Sequence, residues 1–172
     1  MNVDATGMTP LNTVVRNLDF ALRERKAKIV VVVSELPGEG KTTFVATVIP
    51  QLGQIYQRKI LVLDCGANEQ RIEGVDYLSM KGMSRLKDMS SIEQLVALKS
   101  VMSEVENDYD AIFIDLPVPA RTGTLMLPEV NIDAAIMVRT YDSIETGAHD
   151  VSDLLRDKKI PVLGMVINGG VL

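Results

Sequence analysis

Short apolar runs alternate along most of this chain with longer stretches of mixed polarity. Residues 29–33, 60–63, 111–114, 134–138 and 162–167 are nearly continuously apolar, and a weaker run lies at 75–80. Runs of this length, rich in β-branched residues, read as strands, and their lack of alternation means burial on both faces. Between them, apolar residues recur at helical spacing over about 42–57, 84–106 and 143–157. Another helix is predicted ahead of the first strand, capped by Thr9 or Thr13 and ending near Arg25, with Val14, Leu18, Ala21 and Leu22 on one face. Strands buried on both faces and separated by helices make an α/β fold, a mainly parallel twisted sheet with helices on both faces. Pro50 falls inside the 42–57 helix, where it removes a backbone hydrogen bond and crowds the preceding turn. A kink or break is predicted near Ile49.

Composition narrows the picture without changing it. The 172 residues suit one domain with a full core, 11–172, preceded by a flexible N-terminal arm at 1–10. A hydrophobic content of 47% with 24% charged residues is that of an ordinary globular protein. The net charge of −5 argues against broad nonspecific binding, so no nucleic-acid partner is expected. No apolar run approaches the ~20 residues of a membrane span, and the N-terminus lacks the basic and apolar regions of a signal peptide. A cytoplasmic location is the expectation. Cys65 is the single cysteine and His149 the single histidine, which excludes an intrachain disulfide and disfavours a zinc cluster or a histidine-based triad.

The chemistry concentrates after the first strand. There the chain reads Ser34-Glu-Leu-Pro-Gly-Glu-Gly-Lys-Thr-Thr43, a glycine-bearing loop that reaches Gly-Lys-Thr where a helix should start. Successive backbone N–H groups in such a loop form a concave anion site, and the helix adds its positive dipole end. Pro37, Gly38, Glu39, Gly40, Lys41, Thr42 and Thr43 make up this predicted triphosphate cradle. Lys41 can reach the β/γ-phosphates and the Thr42 hydroxyl can ligate Mg²⁺. ATP or GTP is the implied ligand, and the fold is of the P-loop NTPase type. The full pattern is G-x-x-x-x-G-K-[ST], and Glu35 occupies its first glycine position. Glu35 and Glu39 place two negative charges close to the phosphates unless they point away.

Two further strands end in an aspartate, Asp64 and Asp115. Beside a phosphate loop, one carboxylate can hold Mg²⁺ directly or through water, and a second can orient the attacking hydroxyl or water. Strand ends also favour Asp for turn and cap geometry alone. Both acids, with Lys41, are the catalytic candidates, and Thr42, Asp64 and Asp115 the metal candidates.

Read together, several segments resemble a family. The phosphate loop, Leu-Val-Leu-Asp64, Tyr109-Asp-Ala-Ile-Phe-Ile-Asp-Leu-Pro117 and Leu163-Gly-Met-Val-Ile-Asn168 are similar to the cytoplasmic domain of bacterial tyrosine autokinases, which control capsule and exopolysaccharide synthesis. These belong with the MinD and ParA ATPases, and Asn17-Leu-Asp-Phe20 resembles the family's opening helix. The similarity runs over about residues 12–170. Leu36 stands where MinD and ParA carry an extra lysine, which favours the autokinase branch. The resemblance implies ATP and Mg²⁺ as ligands and tyrosine-kinase or ATPase chemistry. It implies that Asp64 serves the metal and the acceptor hydroxyl, that Asp115 holds Mg²⁺ mostly through water, and that Asn168 contacts the adenine. Asn168 reads equally well as a turn residue before Gly169. Arg139 resembles a family arginine near the nucleotide, and equally suits a solvated strand-end charge. The resemblance also implies a membrane polysaccharide co-polymerase as partner, a location at the inner face of the membrane, and a homo-oligomer.

Departures from the family pattern bear on activity. Its Asp-x-Asp-x-Arg is here Asp64-Cys-Gly-Ala-Asn68, so Gly66 replaces the second acid and Asn68 the arginine. Thr9, Asn12 and Val15 stand where the family has its ring-forming Glu/Arg pattern. The sequence ends at Leu172 without a tyrosine cluster, and Tyr56, Tyr77, Tyr109 and Tyr141 are scattered. Two alternatives to the kinase follow: a weakly catalytic ATP-binding switch acting on a membrane co-polymerase, and a MinD/ParA-like positioning ATPase.

Overall fold

The computed structural model describes residues 10–65, 72–79, 91–117, 130–145 and 150–168. Every strand predicted from an apolar run forms. These are β1 (Ile29–Val33), β2 (Ile60–Asp64), β3 (Asp76–Ser79), β4 (Ala111–Asp115), β5 (Ala134–Thr140) and β6 (Val162–Asn168). They make one six-stranded parallel sheet in the order β3-β2-β4-β1-β5-β6. The four central strands are buried throughout apart from Thr140 at the end of β5, which is why their sequences do not alternate.

Two apolar layers hold the helices. One face of the sheet presents Val30, Val32, Val62, Phe113, Ile136 and Val138 to α1 (Pro10–Arg25) and α2 (Lys41–Tyr56). The other presents Val31, Leu63, Ile112, Ile114 and Met137 to α3 (Ser91–Val105) and α5 (Asp150–Asp157). A short helix, α4 (Tyr141–Glu145), follows β5. β1 lies between β4 and β5, and the chain leaves it toward β2 on one side while later returning to β5 on the other. The loop after β1 therefore sits at a topological switch point, where ligands bind in open parallel sheets.

The helices differ in detail from the periodicity. α1 begins at Pro10, the last residue assigned to the arm, so Thr13 lies inside the helix rather than capping it; residues 1–9 lie outside the described residues. Its buried face is Val15, Leu18, Asp19 and Leu22, with Val14 and Ala21 on the flank. Asp19 is buried because Arg58 donates from Nε and Nη2 to its Oδ1 (3.0 and 2.7 Å) while Arg23 Nε lies 2.9 Å from Oδ2. Of the 84–106 prediction, α3 forms over Ser91–Val105, and 80–90 lie outside the described residues. Within the 143–157 prediction helix is described over Tyr141–Glu145 (α4) and Asp150–Asp157 (α5), and 146–149, including His149, lie outside the described residues.

The break expected at Pro50 does not occur, since α2 is continuous from Lys41 to Tyr56. Proline costs one backbone donor, whereas Val45, Val48, Ile49 and Leu52 on both sides of it are buried against the sheet. Burial of four such side chains, at roughly 1.5–3 kcal/mol each, outweighs the ~3 kcal/mol of a helical proline. Among the described residues, no helix is long and apolar enough to cross a membrane.

Candidate functional site

Side-chain parity along the strands assembles the site. Alternate residues share a face, and the face that carries α2 is that of Val32, Val62, Phe113 and Val138. Two residues further along their strands, Asp64 and Asp115 point to this same face. They are register partners on adjacent strands, and Val32 is the partner of Asp115 on β1. Thr140 and Asn168, also paired, have the parity of Val138 and Val166. Asp64, Asp115, Asn168 and the N-terminus of α2 are thus brought to the carboxyl end of one sheet face. Arg139 has the opposite parity.

The loop between β1 and α2 is shaped by its glycines. Gly38 (φ 83°) and Gly40 (φ 94°) adopt left-handed conformations that residues with a Cβ rarely take. A Cβ on Gly40 would also collide with the Asn168 carboxamide, whose Nδ2 donates to the Glu39 carbonyl at 3.2 Å. Asn168 therefore braces the cradle directly, a contact beyond either role its sequence context suggests. Leu36, Pro37 and Gly38 are exposed, and α2 starts at Lys41 with Phe44 N–H donating to the Gly40 carbonyl (2.8 Å). The other N–H groups of the first turn have no intrahelical partner, which suits an anion.

Neither glutamate crowds the cradle with an uncompensated charge. Glu39 is buried and accepts from Leu36 N–H (2.7 Å) with one oxygen and from Thr140 N–H (3.3 Å) with the other. Glu35, in the motif's first glycine position, caps α5 from across the sheet end. Its carboxylate accepts from Val151 N–H (2.9 Å), Ser152 N–H (3.1 Å) and Ser152 Oγ (2.8 Å).

Lys41, Thr42, Asp115 and Asp64 form one electrostatic cluster. Burial lowers the Lys41 pKa, while Asp115, Glu39 and Asp64 pull it back up. An incoming phosphate would supply the counter-charge that burial leaves short. Asp115, 8% exposed, is pushed up to about 6, chiefly by burial, with Lys41 opposing and Asp64 adding repulsion. The Thr42 hydroxyl donates to Asp115 Oδ2 at 3.5 Å. Tyr77 donates its phenol to Asp64 Oδ2 at 2.5 Å. Cys65, next along the chain, packs into the opposite layer, and its thiol is pushed up to about 12 by burial and then by the two aspartates.

Among the described residues no three His, Cys, Asp or Glu side chains converge as a metal cage. The oxygen set of Thr42, Asp115 and Asp64 instead fits Mg²⁺, which takes one or two protein ligands and keeps its waters. Gly66 and Asn68 lie outside the described residues.

Arg139 is not a solvated charge. At 2% exposure it donates from Nη2 to the Ser143 carbonyl (2.5 Å) and from Nε to Ser143 Oγ (3.4 Å), tying β5 to α4. Three of the four tyrosines sit near element ends: Tyr56 lies under the Arg23 guanidinium, Tyr109 under the Lys59 ammonium, and Tyr141 is 53% exposed. Tyr77 is the functional neighbour that sequence reasoning missed. Its register partner is Val62, two residues before Asp64. Two residues along a strand is about 6.6 Å, close to the reach of a tyrosine hydroxyl. That signal becomes readable only once the β2–β3 register is known.

No protein-family model and no curated protein sequence matches the chain. Solved structures do. The kinase domain of the Escherichia coli tyrosine kinase ETK superposes with a TM-score of 0.70 at 18% identity, covering 92% of this chain and 74% of that one. The BceF tyrosine kinase domain gives 0.63 at 17% identity over 92% and 76%. The septum site-determining protein MinD from Pyrococcus horikoshii, complexed with Mg-ADP, gives 0.57 at 21% identity over 81% and 69%. At these identities the likeness is one of architecture: the chain has the P-loop NTPase-type α/β fold that bacterial tyrosine-kinase domains share with MinD ATPases.

Proposed function

We propose that the chain binds Mg-ATP and transfers the γ-phosphoryl group to a tyrosine hydroxyl or to water. One observation carries this reading: the 34–42 loop presents Lys41 and Thr42 at the sheet end beside two strand-end carboxylates on the same face. Lys41 binds the β/γ-phosphates, and its burial makes their charge worth more than in water. Thr42, Asp115 and Asp64 would hold Mg²⁺, which when bound neutralises charge on the phosphates. Asp64, the carboxylate nearer the β3 edge, orients the attacking hydroxyl. Asn168 fixes the loop on which the phosphates rest. The fold shared with tyrosine-kinase domains and with a Mg-ADP-bound MinD supports the ATP reading.

A second reading, a slow ATP-binding switch, is favoured by the Tyr77–Asp64 hydrogen bond, which engages the acceptor-side carboxylate with an internal phenol. In either form the protein acts in the cytoplasm at the inner face of the membrane, regulating a polysaccharide co-polymerase in exopolysaccharide or capsule synthesis. Leu36 in place of a signature lysine speaks against a MinD/ParA-like positioning role.

The deciding experiment follows the γ-phosphate of labelled Mg-ATP, with Lys41→Ala as control. Label on a tyrosine of wild type, absent from the variant, establishes the kinase. Lysine-dependent release of free phosphate establishes an ATPase. If label stays on ATP, calorimetry decides for the switch when wild type binds with a dissociation constant of micromolar to tens of micromolar, about 6–8 kcal/mol. Equal affinity in Lys41→Ala would sink the phosphate-loop assignment.

A further inference from the structure

A nucleotide held in the 34–42 loop has a direction. Thr42, Asp115 and Asp64 gather its γ-phosphate end on the β4 and β2 side of β1. Sugar and base must then leave on the other side, over the carboxyl ends of β5 and β6. The loop is tied to those strands there: Glu39 accepts the Thr140 amide at 3.3 Å, and the Asn168 carboxamide donates to the Glu39 carbonyl at 3.2 Å. A base is held best by a flat aromatic ring. The chain has three phenylalanines, four tyrosines and no tryptophan. Phe44 and Phe113 are buried, and Phe20 lies on α1. Tyr56 ends α2 and Tyr109 precedes β4, both away from the cradle end of the sheet. Tyr77 gives its phenol to Asp64 on the γ-phosphate side. That leaves Tyr141, which follows Thr140 directly and is 53% exposed.

We infer that Tyr141 is the base platform of the site: its ring stacks on the purine of the bound nucleotide. The turn that carries it is fixed before any ligand arrives. Ser143 N–H donates to Thr140 Oγ1 (3.3 Å), Ser143 Oγ donates to the Thr140 carbonyl (3.0 Å), and the buried Arg139 guanidinium donates to the Ser143 carbonyl (2.5 Å). A ring held on a rigid turn loses little freedom on stacking. Asp142, exposed beside it, repels phosphate, so this tip suits the base end of a nucleotide and not its phosphate end. Stacking adds affinity without choosing between adenine and guanine, because every base has a π-face. The inference rests on the nucleotide reading of the cradle.

Calorimetry with Mg-ATP and with magnesium tripolyphosphate, which has phosphates and no base, separates the two. Tyr141→Ala should weaken Mg-ATP binding by about fivefold or more, the smallest loss expected of a stacked base, and leave tripolyphosphate binding within about twofold of wild type. Tyr141→Phe keeps the ring and should restore Mg-ATP affinity. A second measurement covers failure of the alanine variant to fold. Tyr141→Trp places a single tryptophan in a chain that has none, and its emission should be quenched by Mg-ADP but not by magnesium tripolyphosphate. Wild-type Mg-ATP affinity in Tyr141→Ala, equal losses for both ligands, or equal quenching by both would each overturn the platform and leave the cradle standing. Wild type that binds neither ligand would overturn the cradle and the platform together.

Discussion

Asp115 shows how one residue can serve the site at the expense of the fold. Burial raises its pKa from the ordinary 3.8 to about 6. Between those values the unfolded chain releases the proton that the folded chain keeps, so stability falls as pH rises through this window. Below about 4 the carboxyl is neutral in both states and contributes nothing; above about 6 the cost is complete. A shift of two units sets an upper bound of about 3 kcal/mol. Asp115→Asn should therefore stabilise the protein by about 2 kcal/mol at pH 8, allowing for lost attraction to Lys41, and should have no such effect near pH 4. Urea unfolding across this range measures it, and an unchanged or lower stability at pH 8 would refute it. The same variant should lose Mg²⁺-dependent nucleotide binding. Tyr77→Phe probes the other carboxylate. Removing the phenol that donates to Asp64 should change stability by about 1 kcal/mol while changing turnover or Mg²⁺ requirement several-fold. Equal, small changes in both would make Tyr77 merely structural.

At the scale of elements, the reading from sequence succeeded where one force dominates. Strand positions follow from apolar runs because burial on both faces leaves no other way to place five consecutive valines and isoleucines. That the loop before α2, Asp64 and Asp115 meet at one end of the sheet is legible because they occupy strand ends, which those runs mark. What was hidden depends on distant partners. Pro50 looked disruptive because its local cost is visible and the packing that overrides it is not. Asp19 is buried because Arg58, far along the chain, is placed beside it, a partner that local spacing does not show. Arg139 could not be assigned a face before the register of β5 was known. Glu35 is the sharpest case. Against the motif it is a fault, a carboxylate where glycine belongs, yet it accepts three hydrogen bonds at the start of α5. Glu35→Gly restores the motif and removes the cap. It should destabilise the protein by about 1–3 kcal/mol, and urea unfolding measures this directly. An unchanged or more stable variant would show that the capping contacts contribute nothing.

Across the whole molecule, the two glutamates make the phosphate loop a junction rather than an appendage. Glu39 joins the loop to the Thr140 amide at the end of β5, and Glu35 joins it to the Val151 and Ser152 amides of α5. Asn168 adds a third connection, from β6 to the Glu39 carbonyl. None of these residues needs to touch a nucleotide to respond to one. Ordering the loop around phosphates would suppress the local openings through which these amides exchange, because each amide is held by a side chain the loop itself carries. Hydrogen exchange should therefore slow at Thr140, Val151 and Ser152 on adding Mg-ATP, by about tenfold for each 1.4 kcal/mol by which opening becomes harder. Amides on the far side of the sheet, such as those of β3, should change less. Lys41→Ala should abolish the protection, since without phosphate binding the loop gains no order. Glu35→Gln should weaken protection at Val151 and Ser152 while sparing Thr140, because the two glutamates reach different elements from opposite ends of the loop. Protection confined to the loop and α2 would mean that the carboxylate links are passive supports and that α5 does not sense the site.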